Sequence, residues 1–302
     1  MNSSDRGGPV LGALVAGVDG SEPAMRAVLW ASEEARRRDR PLHLVYAADT
    51  DSRMIYASME TIEQVRNAGR DLLEETAAMV SERYPGLKVT KELSRREPVV
   101  SLHTAAGNHG TIVVGNRGLG GFNSLLLGSV GLKVAAGART PVVVVRGAEG
   151  APAADVVVAA IHDEHDVDFA RHAASEAELR KASLRLVHVW NVLESVGNVV
   201  TMLDAVDEMA RNHVRTLMGV TDRIRADFPG LTVEADAEKS MSAAGVLVEA
   251  TRHADLLIMG GRRSPGNFGP TLGRVTHSLL HHANCPVELI PRQGKPTTGE
   301  SQ

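Results

Sequence analysis

Four short segments from the first half of this chain return in the second half, in the same order and at almost constant spacing. Leu42-His43-Leu44-Val45-Tyr46 returns as Leu184-Arg185-Leu186-Val187-His188, an offset of 142. Tyr84-Pro85-Gly86-Leu87-Lys88-Val89 returns as Phe228-Pro229-Gly230-Leu231-Thr232-Val233 at 144, and Ile112-Val113-Val114-Gly115 as Leu257-Ile258-Met259-Gly260 at 145. The proline of Thr140-Pro141-Val142 reappears in Cys285-Pro286-Val287, again at 145. Linear order with a shared period means tandem duplication with small insertions, so the 302 residues fold as two versions of one domain. The join falls in Gly147-Ala148-Glu149-Gly150-Ala151-Pro152-Ala153-Ala154, which is small, flexible and proline-punctuated. This divides the chain into domains 1–148 and 149–302, the second ending in a polar tail, Arg292–Gln302, that is expected to be disordered.

Within the first domain, short apolar runs alternate with helical periodicity. The run Ala13–Val18 ends at Asp19-Gly20-Ser21, after which Ala24, Ala27, Val28 and Ala31 recur at helical spacing. Strands are predicted at 42–46, 87–93, 111–114 and 141–145, with helices between them near 59–83, 99–108 and 128–138. Such alternation is the signature of a parallel sheet built from βαβ units, which places both domains in the α/β class. The last strands, Pro141–Val145 and Pro286–Ile290, are rich in Val, Ile and Leu and would make bare apolar edges. They are expected to associate, either within the chain or between chains.

Composition narrows the functional classes. Two Trp, three Tyr and four Phe leave little for stacking on exposed bases. A net charge of −4 supplies no basic field for nucleic acid or anionic lipid. The one cysteine, Cys285, has no intrachain disulfide partner and no zinc-type spacing around it, which suits a reducing compartment. With no signal-peptide pattern and no apolar run of about 18 residues, the expected location is the cytoplasm.

The most informative segment is Gly115-Asn116-Arg117-Gly118, then nine residues, then Gly128-Ser129. It follows a buried-type strand and opens a helix, where unpaired N–H groups and the positive dipole end favour phosphate and glycines let the backbone come close. Asp19 ends the first strand at the same sheet edge, where open parallel sheets bind ligands. This arrangement resembles the ATP-binding members of the universal stress protein family, which carry G-2x-G-9x-G-[ST] after the fourth strand, and the resemblance covers almost the whole chain as a tandem two-domain member. It implies two open five-stranded parallel sheets with flanking helices, Rossmann-like with strand order 3-2-1-4-5. It also implies ATP, alone or with Mg²⁺, in the first domain, a nucleotide-responsive regulatory role in stress adaptation, and pairing through the last strands within a chain or in a homo-oligomer. By the same resemblance Asp19 matches the acidic residue near adenine and ribose, and Val45 the backbone position that reads the adenine edge. Val114 and Gly115 would line the ribose side, Gly118 would approach the phosphates, and Gly128, Ser129 and Val130 would hold them. The residue types suit these roles, since a carboxylate accepts from ribose hydroxyls and a serine donates to a phosphate oxygen.

No GxxxxGK[ST] occurs, no GxGxxG follows the first strand, and Asp19-Gly20-Ser21-Glu22-Pro23 offers no histidine for adenylyl transfer. An ATP-hydrolysing or ATP-using enzyme would lack an evident general base and metal carboxylates, so its turnover should be slow. A scaffold that pairs through its sheet edges is the third reading. His281, His282 and Cys285 read as a helix end, His162-Asp163-Glu164-His165 lacks a further ligand, and Arg36-Arg37-Arg38 with Arg40 reads as a solvated helix end. The second domain departs from the motif: His162 stands opposite Asp19, Arg263 opposite Gly118 and Arg274 opposite Ser129, while Gly260 and Gly273 survive. Asp163, Glu164, Asp166 and Asp168 would repel a triphosphate there, and Arg263 or Arg274 is expected to reach this acidic loop and partly fill the vacated pocket, the alternative being that the two arginines bind phosphate themselves.

Overall fold

A computed structural model describes residues 12–53, 57–118, 128–147, 152–191, 203–261 and 272–291. Arg263 and the tail Arg292–Gln302 lie outside these residues. The first domain runs β1 (Leu14–Gly17), α1 (Glu22–Arg37), β2 (Leu42–Ala47), a single turn α2 (Thr50–Arg53), α3 (Met59–Arg83), β3 (Val89–Ser94), α4 (Pro98–Ala106), β4 (Thr111–Gly115), α5 (Ser129–Ala136) and β5 (Val142–Val145). The second runs β6 (Val156–Ile161), α6 (Val167–Arg180), β7 (Ser183–Trp190), α7 (Leu203–Asp227), β8 (Val233–Lys239), α8 (Ala243–Ala250), β9 (Leu256–Gly261), α9 (Arg274–His282) and β10 (Val287–Pro291).

Local chemistry sets these boundaries. Ser21 caps α1 by accepting from the Ala24 N–H, and Pro23 fits the first turn, where its missing donor is not needed. Ser58 caps α3 through the Thr61 N–H, and α3 ends at Tyr84 before the Pro85-Gly86 turn. In each domain the strands are parallel and ordered 3-2-1-4-5. The second domain repeats this as 8-7-6-9-10.

The two half-sheets join into one ten-stranded sheet through β5 and β10, which pair antiparallel with Val144 opposite Val287, Val143 opposite Glu288 and Val142 opposite Leu289. Side chains alternate across the sheet, so its two faces differ. On one face α4, α5, α8 and α9 cover a single apolar core that runs through both domains, from Val15 and Ile112 to Leu257 and Val287. On the other, α1 and α3 enclose one core, while α6 and α7 enclose another against which Trp30 of α1 also packs. Between these two cores the junction is ionic. Among the described residues, no helix is long and apolar enough to cross a membrane.

The seam yields a stability prediction. Val287 is fully buried at the junction, so Val287→Ala should lower the unfolding free energy by about 2–3 kcal/mol through lost burial plus a cavity. Met241→Ala, at a residue 73% exposed, should change it by less than about 0.5 kcal/mol. Urea titration of both variants checks the contrast.

Candidate functional site

β1 delivers Asp19 to the carboxyl edge of the first half-sheet. Gly20 follows with φ of +82°, a left-handed turn that brings the Ser21 N–H back to Asp19 Oδ1 at 2.9 Å. One carboxylate oxygen is thus spent on local geometry, which fixes the direction of the other. Asp19 Oδ2 lies over Gly118, where a Cβ would come within 2.5 Å of it. Gly118 is not among the glycines with positive φ, so the glycine is required by close approach and not by backbone conformation.

The same constraint acts at Gly115 but not at Gly128, where a Cβ would meet only ordinary contact distances. A Cβ on Gly115, at the end of β4, would overlap the carbonyl of Pro23, so β4 meets the first turn of α1 backbone to backbone. The Gly128 N–H donates to the Asn116 carbonyl at 2.8 Å, which holds the start of α5 against the end of β4. A Cβ on Gly128 would stand 3.5 Å from Arg117 Cα and 3.7 Å from the Gly118 nitrogen. Gly128 is the N-cap of α5 and offers no side-chain cap, leaving the first-turn N–H groups of Ser129 and Val130 without intrahelical acceptors. Asp19, Gly115, Gly118, Gly128 and Ser129 are therefore gathered at one crevice between the ends of β1 and β4.

The valines contribute differently. Val45 and Val114 are buried in the shared core, with Val130 packed against it. The Val45 carbonyl already accepts from the Val18 N–H at 2.9 Å. Two polar atoms in the same loop, Asn116 Oδ1 and Arg117 Nε, are buried without a hydrogen-bond partner among the described residues. Such atoms are costly unless a ligand or water satisfies them. Both sit at the variable positions of the glycine motif, where spacing alone carries no signal.

A further cation comes from the end of β5. Arg146 donates through Nε to the Ala283 carbonyl at 3.0 Å and through Nη1 to the Leu280 carbonyl at 2.7 Å, capping the last turn of α9 in the other domain. Burial and the charge of nearby Arg117 both lower its pKa from the ordinary arginine value. Its role is invisible in the sequence because its partners lie more than 130 residues away. A separate open cleft of about 420 Å³, lined by Asp49, Asp51, Ser52, Arg96, Glu97 and Val100, lies beyond β2 and β3 and includes none of the predicted site residues.

The equivalent edge of the second domain is built from its own side chains. After β6, Asp166 is buried and its Oδ2 accepts from the His162 N–H at 2.6 Å and the Asp163 N–H at 3.2 Å. Asp163 accepts from the His165 N–H at 2.9 Å, and Asp168 pairs with Arg171 at 3.2 Å. Of the two arginines expected to reach this acidic loop, Arg274 is exposed at the first position of α9 and makes no ion pair among the described residues, and Arg263 lies outside those residues. Nearby, His188 bonds the Ile161 carbonyl (3.0 Å) through Nδ1 and His213 Nδ1 (2.9 Å) through Nε2, and Trp190 stacks on His213.

The remaining histidine grouping does not converge on a metal. On α9, His277 stacks against His281 with ring centroids 4.4 Å apart, while Cys285 is buried, its thiol pushed up to about 12 by burial and by Asp255. Among the described residues, no group of three or more His, Cys, Asp or Glu side chains could hold a metal ion.

Two open parallel half-sheets, each with its crevice at the point where strand order reverses, define a tandem doubly wound α/β protein. The model of the universal stress protein family matches residues 12–146 and again 154–291. The chain belongs to the universal stress protein family. It is 27% identical to a universal stress protein of Mycolicibacterium smegmatis over 92% of this chain and 96% of that protein. It is also 26% identical to one of Mycobacterium tuberculosis over 96% of this chain and all of the relative. The crystal structure of a universal stress protein from Archaeoglobus fulgidus shares the fold, with a TM-score of 0.65 at 18% identity over 93% of this chain and 99% of that one.

The two glycine contacts predict opposite outcomes for the same substitution. Gly115→Ala forces backbone apart and should destabilise by about 1–3 kcal/mol. Gly118→Ala meets only the movable Asp19 side chain, so its melting temperature should stay close to the parent's while the carboxylate is displaced. Thermal unfolding of the two variants side by side checks this.

Proposed function

We propose that the first domain binds ATP at the crevice between β1 and β4, and that the protein acts as a nucleotide-responsive regulator. The observation that carries this reading is the convergence of Asp19, the bare Cα of Gly118 and the uncapped start of α5, with Arg117 Nε left unpartnered beside them. The helix start and Arg117 suit an anionic phosphate chain, and Asp19 suits the hydroxyls of a ribose. Any Mg²⁺ would be carried chiefly by the phosphates, since that ion keeps most of its water shell. The second domain does not bind the same ligand in this reading, because Asp166 and the His188–His213–Trp190 group occupy its edge.

Equilibrium binding of labelled ATP to the purified chain should give close to one site per chain. Gly118→Glu adds bulk and negative charge beside a polyanion and should abolish binding while the circular dichroism spectrum stays native. Asp19→Ala removes a charged hydrogen-bond acceptor worth about 1.5–3 kcal/mol and should weaken binding roughly tenfold to a hundredfold. Unchanged affinity in a natively folded Gly118→Glu, or two equivalent sites per chain, would overturn the reading. Product analysis of the same samples separates binding from turnover.

A further inference from the structure

On the face of the sheet carrying α1 and α6, the domain junction holds a cluster of charged side chains. Glu34 of α1 is fully buried and pairs with Arg38 at 2.7 Å and with Arg180 of α6 at 2.6 Å. Arg38 also reaches Glu176 of α6 at 2.9 Å, and Arg180 pairs with Glu176. At the bottom lies Glu288 of β10, fully buried beside Val143 of β5, with Oε1 3.1 Å from His172 Nε2 and Oε2 without a hydrogen-bond partner. Arg37, at the rim, lies 3.4 Å from Glu34 and is matched by its own partner Glu33. Inside the rim, three carboxylates face two guanidinium groups, so with all three ionised the cluster is neutral when His172 carries a proton, while burial and Glu288 push the Glu176 carboxyl above its ordinary range.

We propose that this cluster is a proton-binding site, with His172 as the acceptor, and that its occupancy sets how firmly α6 and β10 of the second domain hold α1 of the first. The groups facing His172 are Glu288 from β10, Glu176 from its own helix and Arg38 from the end of α1. Burial and Arg38 oppose protonation, while Glu288 and Glu176 favour it and prevail, raising the His172 pKa above the ordinary value. Against burial, which pushes Glu288 up, His172, Arg38 and Arg180 hold it below the ordinary carboxylate range. The imidazole is 29% exposed, which gives the proton a route to solvent that Glu288 lacks. Loss of the proton leaves a net negative charge among side chains that are themselves largely buried, Glu34, Glu176, Glu288 and Arg180.

The sign of the linkage follows. A histidine whose folded pKa is raised contributes stability that is fully present below its unfolded value, near 6.5, and is lost as pH rises through the folded value. Alkalinisation therefore loosens the junction, and mild acid tightens it.

The test uses the full chain. In NMR of ¹⁵N-histidine-labelled protein, His172 should titrate with a midpoint above 6.5, and Glu288→Gln should lower that midpoint by a pH unit or more. In urea unfolding, the parent should lose stability between pH 6 and pH 8.5, and His172→Asn should remove most of that loss. Amide exchange in β5 and β10, corrected for its intrinsic pH dependence, should quicken over the same interval. A parent midpoint at or below 6.5, or a His172→Asn variant that keeps the whole pH dependence, would overturn the proposal. If His172→Asn does not fold, the parent titration and the exchange measurement decide it.

Discussion

A strand of four consecutive buried valines, Val142–Val145, cannot leave its outer row of N–H and C=O groups to water without exposing apolar surface beside them. β10 meets that requirement, and much of the architecture follows from it. Pairing these strands antiparallel brings α1 beside α6 on one face and merges the cores under α4, α5, α8 and α9 on the other. The merged core supplies the apolar burial that stabilises the junction. The ionic face contributes differently: buried charges gain little net free energy over an apolar filling, but an incorrectly docked α6 would part Glu34 from Arg180, Arg38 from Glu176 and His172 from Glu288.

The two domains share a backbone plan and diverge in what they place at its carboxyl edge. In the first, an Asx turn spends one oxygen of Asp19 and leaves the other against a glycine, so the crevice is lined by main chain. In the second, the same loop is one short helical turn, Glu164–Asp166, whose buried aspartate turns inward to satisfy backbone donors. The carboxylate that faces Gly118 in the first domain has a counterpart in the second that binds the loop's own N–H groups. His188 and His213 complete the change where the first domain has Tyr46 packed against Gly69.

Much of this was legible beforehand, for identifiable reasons. The helix over 59–83 is found at those limits because a serine cap and a Pro-Gly turn both leave strong local marks. The helix placed at 128–138 is shorter, Ser129–Ala136, since Gly137 caps it early. α2 was missed because Thr50–Arg53 has no apolar periodicity to read. Glycine spacing located the crevice, whereas Asn116 Oδ1, Arg117 Nε and the cap made by Arg146 depend on three-dimensional neighbours and leave no periodic trace. In the acidic loop of the second domain, charge counting alone gave no sign that Asp163 and Asp166 accept from the loop's own N–H groups, as carboxylates at a helix start do.

The antiparallel join has a geometric corollary. Because strands within each half run parallel and the halves run opposite ways, the carboxyl edges of the two domains lie at opposite ends of the sheet. Whatever docks at one end is physically shielded from the other, so rivalry between occupants by direct contact is ruled out. α9 nevertheless touches both ends, starting at the edge of its own domain and finishing under Arg146 beside Arg117. The two edges are thus linked by one helix, so a shift of α9 along its axis would move a contact at each of them.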